Sequence, residues 1–363
     1  MRRLMCVLTL SMAGLAALLF GVNVISYILV DRLALPLTIH TMSKKLKAYP
    51  NIKSRMAAIE ASFEEAHRPV VYTPFTGWTA KPFQGKTITV GQHGDRIHDH
   101  VLEVAPDQAT IVRFFGGSTM WGSGVWDQET IPAYFDTFNP GMKAFNHGQQ
   151  GHNARQELAR LMNLYVQGET ADIVIFYDGC NEIRCQARQL PTHTYTEQIR
   201  HAMQLTTFGD ALSTLLVKHT RRLIQMLKHA VRPTTNRTCV HDAQFIAACR
   251  NKAQDIASHL LRTWEAAHAL VTSQGGQFMA ILQPLPGIGH PNTAYLDEPA
   301  CALEMNAAVY DVIRKQIRES GHTWIHDFTH VLDGPEAYYF DICHVTSNGN
   351  LKIAQRMTEL VQN

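Results

Sequence analysis

Ile111-Val112-Arg113-Phe114-Phe115-Gly116-Gly117-Ser118 is a short apolar run that breaks on two glycines and delivers a serine. It reads as a β-strand ending in a sharp turn, because glycine permits the backbone angles that lift a serine hydroxyl clear of a strand end. A helix opening at that point would also aim backbone N–H groups at an anion. Other glycine-rich turns fit worse. There is no Gly-x-x-x-x-Gly-Lys-Ser/Thr phosphate loop, and the spacing misses the dinucleotide fingerprint. The Gly-x-Ser-x-Gly elbow of lipases fails because Met120 stands where its last glycine should be.

Working outward, the same rhythm recurs. Met142–Phe145, Asp172–Tyr177, Gln277–Leu282 and Thr323–Phe328 read as further strands. Helical stretches separate or follow them at Ala154–Val166, Glu197–Val231, Lys252–Thr272, Leu303–Arg318 and Asn350–Val361. Strands alternating with helices predict an α/β domain whose parallel five-stranded sheet is covered on both faces. Ligands of such sheets sit beyond the carboxyl ends of the strands. Residues 232–251 read as an inserted loop. Upstream, Thr38–Ala66 reads as a polar helical connector, and Val70–Val104 as short strands and loops laid against the main domain. The predicted division is 1–33, an N-terminal transmembrane anchor; 34–105, the connector and short-strand region; and 106–363, the α/β domain.

Three more segments bring polar groups to the same rim. Asn146-His147-Gly148-Gln149-Gln150-Gly151-His152-Asn153 follows the second strand; Gly151 offers a backbone N–H, although, taken alone, an ordinary strand-to-helix turn with Asn153 as helix cap is the preferred reading. Tyr177-Asp178-Gly179-Cys180-Asn181-Glu182 follows the most apolar strand and presents a neutral amide. Asp341-Ile342-Cys343-His344 precedes the last helix, and a turn brings residues three apart close enough for Asp341 to orient His344.

In this order and placement the four segments resemble the SGNH (GDSL-type) hydrolase family, which is named for Ser, Gly, Asn and His in four sequence blocks. Ser118, Gly151, Asn181 and His344 occupy the matching positions, and Asp341 matches the family's acid. The resemblance covers Ala109–Asn363 and implies a flavodoxin-like, three-layer α/β/α fold. It departs from the family at Gly116-Gly117-Ser118-Thr119, where Gly-Asp-Ser-Leu is common, and in the long helices between Glu197 and Thr272. It implies a serine esterase that cleaves O-acyl esters, O-acetyl included, without a cofactor, on a glycan or lipid. The expected catalytic set is Ser118, Asp341 and His344, with Ser118, Gly151 and Asn181 as the oxyanion hole. An O-acyltransferase with the same triad is the alternative, and a non-catalytic binding module is a third reading.

Composition sets the remaining bounds. A net charge of +2 favours no nucleic-acid partner. Leu4–Val30 carries no charged residue and is long enough to cross a bilayer. Arg2 and Arg3 precede it, which predicts a cytosolic N-terminus and an extracytoplasmic domain, periplasmic or extracellular. Cys6 lies in that span, leaving Cys180, Cys185, Cys239, Cys249, Cys301 and Cys343. Disulfides and buried thiols are equal readings for these, except that the short polar interval between Cys239 and Cys249 favours a bridge. Asn236-Arg237-Thr238 is a glycosylation sequon. His93, His98 and His100 with Asp95 and Asp99 have metal-ligating side chains, but their spacing matches no known loop and a solvated polar loop is the preferred reading, so no metal is expected. His147 and His152 flank Gly151 as candidate pocket residues or plain loop residues.

Overall fold

The computed structural model describes residues 14–29, 55–66, 70–100, 102–105, 107–183, 219–220, 223–224, 240–296 and 300–362. The chain divides into two compact units, Met1–Lys44 with Tyr195–Thr238, and Lys45–Thr194 with Cys239–Asn363. In the first, residues 14–29 form a helix, α1. It exposes Leu15, Leu18, Phe20, Ile25 and Ile28, and its Ser26 hydroxyl donates to Val22 O at 2.7 Å. Among the described residues, no helix is long and apolar enough to cross a membrane. The expected span begins at Leu4, outside the described residues. So do the sequon, Cys185, Cys239 and, apart from 219–220 and 223–224, the predicted helix Glu197–Val231.

The second unit is built on five parallel strands: β5 (Thr110–Gly116), β6 (Met142–Asn146), β7 (Ile173–Asp178), β8 (Gln277–Leu282) and β9 (Ile325–Asp327). Their spatial order is β6-β5-β7-β8-β9. Counted along the chain this is the doubly wound order 2-1-3-4-5, whose switch point lies between the first and third strands. The two faces follow from alternation along each strand. Val112 and Phe114 of β5, with Ile173, Ile175 and Tyr177 of β7, face α4 (Ile131–Phe138) and α8 (Ser347–Gln362). Phe115, Val174 and Phe176 face α5 (Ala154–Val166), α6 (Val240–Ser273) and α7 (Ala300–Ser320). Buried on both sides, the central strands need the near-continuous apolar character that made them legible.

Local signals set the helix starts. Thr130 caps α4 by accepting from Ala133 N at 3.3 Å, with Pro132 in the first turn. Asn153 caps α5, accepting from Gln156 N at 3.2 Å while the Gln156 side chain returns to Asn153 N. One expectation is overturned: the inserted loop over 232–251 does not extend past residue 239, because α6 begins at Val240. Upstream, α2 (Met56–Ala66) precedes two short antiparallel pairs, β1 (Val70–Thr73) with β2 (Gly77–Ala80) and β3 (Phe83–Gln84) with β4 (Thr89–Val90). Arg96 then bridges antiparallel to Asn146 at the end of the outer strand β6.

Candidate active site

Ser118 opens a short helix, α3 (Ser118–Trp121), directly after β5. The turn is closed by contacts that exclude side chains. A Cβ on Gly116 would lie 2.5 Å from Met120 Cβ and 3.0 Å from Tyr177 O. Gly122, at φ +85°, ends α3 with its N–H directed at Ser118 O and Thr119 O, a left-handed geometry that suits glycine.

The structure brings the expected residues together. Ser118 Oγ lies 2.9 Å from His344 Nε2, and His344 Nδ1 lies 2.8 Å from Asp341 Oδ2. The other carboxylate oxygen, Oδ1, accepts from Cys343 N and His344 N, both at 2.8 Å. Burial pushes the Asp341 carboxyl up, but the His344 charge and these hydrogen bonds outweigh it and hold the group well below the ordinary carboxylate range. The anion is therefore maintained beside Nδ1–H. Phe63 of α2 stands edge-on to the His344 ring, centroids 5.8 Å apart, and meets Phe340 in the same way at 5.7 Å.

The oxyanion candidates come from the turns after three adjacent strands, β6, β5 and β7. Asn181 lies just after β7, and its Nδ2 donates to His152 O at 2.6 Å. An amide nitrogen carries two hydrogens, so one donation leaves another for a ligand. Gly117 is the floor beneath it: a Cβ there would lie 2.0 Å from Asn181 Nδ2. Gly151 sits in the turn after β6 at φ +73°, with open space where a Cβ would be. That turn is seated against the Ser118 turn by Gln149 N donating to Gly116 O at 3.0 Å and by Asn146 Nδ2 donating to Met120 O at 3.0 Å.

Glu182, next to Asn181, accepts from Ala154 N at 2.8 Å and from Gly179 N at 2.7 Å, pinning the Asn181 turn to the start of α5. Burial raises its pKa, as it does those of its neighbours Asp178 and Glu157. Asp178 accepts from Trp264 Nε1 at 2.7 Å. Glu157, kept protonated more readily by its raised pKa, shares a side-chain hydrogen bond with Asp178.

The histidines beside Gly151 are framework. His147 is buried, accepts at Nε2 from Arg113 Nη1 at 3.0 Å and so donates from Nδ1 to Asp95 at 2.6 Å. His152 is pushed down to about 3 by burial and by the Arg160 charge, and the neutral ring donates from Nε2 to Trp78 O at 2.9 Å. The polar-loop reading of residues 93–100 is corrected in part. His93 and Asp99 are exposed, but Asp95 pairs with His147 and Arg160, and His98 is buried against Asp136. Sequence reasoning also missed Phe63 and Arg96. The Arg96 guanidinium donates to Trp121 O at 2.7 Å, Gly122 O at 2.6 Å and Val125 O at 2.7 Å, holding the loop that follows Ser118. A lone arginine in a Gly/His-rich stretch gives no periodic signal of such a role.

No protein-family model and no curated protein matches the chain. Among solved structures, it is similar to a member of the lipolytic G-D-S-L family from Veillonella parvula DSM 2008, with 11% identity and a TM-score of 0.41 over 70% of this chain and 100% of that one. A carbohydrate acetylesterase from Sinorhizobium meliloti aligns at 11% identity and TM-score 0.39, over 70% of this chain and 98% of that one. An extracellular lipase from Streptomyces rimosus aligns at 14% identity and TM-score 0.37, over 69% of this chain and 100% of that one. These likenesses are remote, and the functional reading rests on this chain's own side chains.

Proposed function

We propose that the protein is a serine hydrolase of the SGNH type that cleaves O-acyl esters through an acyl-enzyme. The observation that carries this is the continuous Ser118–His344–Asp341 hydrogen-bond chain at the strand ends. Ser118 Oγ attacks the ester carbonyl as its proton passes to His344 Nε2, and Asp341 stabilises the imidazolium. The carbonyl oxygen becomes an oxyanion facing the Ser118 and Gly151 N–H groups and the Asn181 amide. His344 returns the proton to the leaving alcohol. Water, deprotonated by the same nitrogen, then releases the acid and restores Ser118.

The substrate is read as an acylated glycan or lipid. Phe340, which packs on Phe63 beside His344, lines a cleft of about 810 Å³ with mixed walls, polar at Asn292, Asn348 and Lys352 and apolar at Ile59, Tyr338 and Leu351. The exposed apolar face of α1 and the uncharged stretch from Leu4 support a membrane tether, with the catalytic unit on the extracytoplasmic side.

The test is turnover of p-nitrophenyl acetate together with fluorophosphonate labelling. Both should be lost in Ser118→Ala; labelling that persists in that variant refutes the assignment. Adding a glycan acceptor distinguishes hydrolysis from acyl transfer, since a transferase would release acid slowly and gain turnover with the acceptor.

A further inference from the structure

His98-Asp99-His100 runs along the outside of the sheet unit, just after the bridge from Arg96 to Asn146. Two residues apart on an extended chain, the two imidazoles point to the same side, and that side meets Asp136 of α4. His98 Nε2 lies 2.9 Å and His100 Nδ1 2.6 Å from the same carboxylate oxygen, Asp136 Oδ2. The three donor atoms fall within 4.8 Å of one another. Asp136 is fully buried, and its other oxygen is occupied by Ala144 N at 2.7 Å. The carboxylate is thus turned so that Oδ2 alone faces the two rings, as in a monodentate ligand oriented by a second-shell hydrogen bond.

We infer that His98, His100 and Asp136 form a binding site for one zinc ion, separate from the ester-cleaving triad. Two imidazole nitrogens and one carboxylate oxygen suit zinc, whereas calcium and magnesium take oxygen ligands. Zinc bonds of about 2.0–2.1 Å in tetrahedral geometry would hold the donors about 3.3 Å apart. Each ring would move a few tenths of an ångström away from Asp136 Oδ2, and the two ring nitrogens, which lie within 4.8 Å of each other, would settle at the same spacing. His100 is partly exposed while His98 is buried, so an ion would enter past His100 and keep a water in its fourth position. Both imidazoles would bind as neutral ligands, and the Asp136 charge would offset half that of the ion.

The site has a structural consequence for the proposed active site. Arg96, two residues before His98, donates to the carbonyls of Trp121, Gly122 and Val125. A metal clamp on His98 and His100 would fasten the segment that holds the loop after Ser118. It would stiffen the nucleophile turn without taking part in ester chemistry.

The test uses the full-length protein, stripped with a chelator and titrated with cobalt(II), whose visible d–d absorption reports tetrahedral coordination, followed by competition with zinc. One equivalent should bind, zinc should displace it, and zinc should raise the melting temperature of the stripped protein. His100→Asn keeps a hydrogen-bond donor near the position of Nδ1 but removes an imidazole ligand. Second-shell changes alone cost about 10–100-fold in metal affinity, so this loss should weaken zinc binding by at least about a hundredfold. His93→Ala, at an exposed histidine outside the cluster, should bind as the wild type does. Ester turnover by stripped His100→Asn reports that the variant is folded. The absence of a tight equivalent in the wild type would overturn the site on its own, leaving a purely hydrogen-bonded His–Asp–His contact. A cobalt band that persists in His100→Asn and His98→Ala would place the metal elsewhere on a histidine-rich chain.

Discussion

Asp341 illustrates how one side chain can determine which proton the site carries. Its Oδ1 is committed to two backbone N–H groups, of Cys343 and His344, and Oδ2 to His344 Nδ1. In Asp341→Asn the amide oxygen must keep the backbone donors, so the NH₂ faces Nδ1. The ring must then accept there and carry its proton on Nε2, which points at Ser118 and leaves no base. A loss of about 10⁴ in kcat is expected, as in serine protease triads given the wrong tautomer; a loss below tenfold would mean that Asp341 does not set the tautomer. Asn181 acts differently, as a neutral donor to the transition state. Asn181→Ala should lower kcat by about 10²–10³ with KM little changed. Gly117→Ala should reproduce that loss, because its methyl would lie 2.0 Å from Asn181 Nδ2. If both act through one amide, the double variant should be no slower than the worse single one. Additive losses in steady-state kinetics would separate the two positions.

At the level of elements, the turn after β7 is held by acids that burial keeps from ionising freely. Glu157 of α5 lies beside Asp178 and Glu182, and burial together with their charges raises its pKa. Folded Glu157 holds its proton to higher pH than the unfolded chain, which releases it above about pH 4.3. Folding then takes up a proton, so this residue's contribution to stability falls as pH rises through neutrality. Glu157→Gln is neutral at every pH. It should raise the melting temperature at pH 8 by at least about 2 °C and flatten its decline between pH 5 and pH 8. Thermal melts in which the variant keeps the wild-type pH slope would show that Glu157 is ionised in the folded protein. None of this cluster was legible in the sequence, where Glu157 is one polar residue in an amphipathic helix and its partners come from β7 and the turn that follows it. The strands were legible within one or two residues, because burial on both faces demands apolar runs of strand length. The contact of Asp341 with His344 was legible because an Asp-x-x-His turn is local, whereas the pairing of Ser118 with His344 joins distant segments and was expected only from the family resemblance. The pairing of His98 with Asp136 was not, since it joins residues far apart in sequence and only the folded chain sets them together. The 232–251 region was misread for a different reason: its polar opening hid a helix that starts at Val240.

For the whole molecule, the question with most bearing on substrate is where the catalytic unit works. The stretch from Leu4 to Val30 has no charged side chain, and as a continuous helix it would be about 40 Å long at 1.5 Å per residue. A hydrocarbon core is about 30 Å thick, so the stretch exceeds what a span requires. The described part, 14–29, is helical and exposes large apolar side chains on much of its circumference, an arrangement that costs free energy in water. Asn23 and Ser26 are its buried polar residues, and His219 N and Thr220 N both donate to Asn23 Oδ1. For the proposed tether, Arg2 and Arg3 precede the stretch, whereas Asp31 and Arg32 cancel after it, and the positive-inside rule then predicts a cytosolic N-terminus. The full-length protein should therefore stay with membranes through alkaline carbonate washing and leave them only in detergent. Protease added to intact cells, or to spheroplasts where an outer membrane is present, should remove ester-hydrolase activity from the membrane fraction. Release by carbonate would reduce α1 to a peripheral contact. Activity fully protected until lysis would invert the orientation and confine the substrate to cytosolic esters.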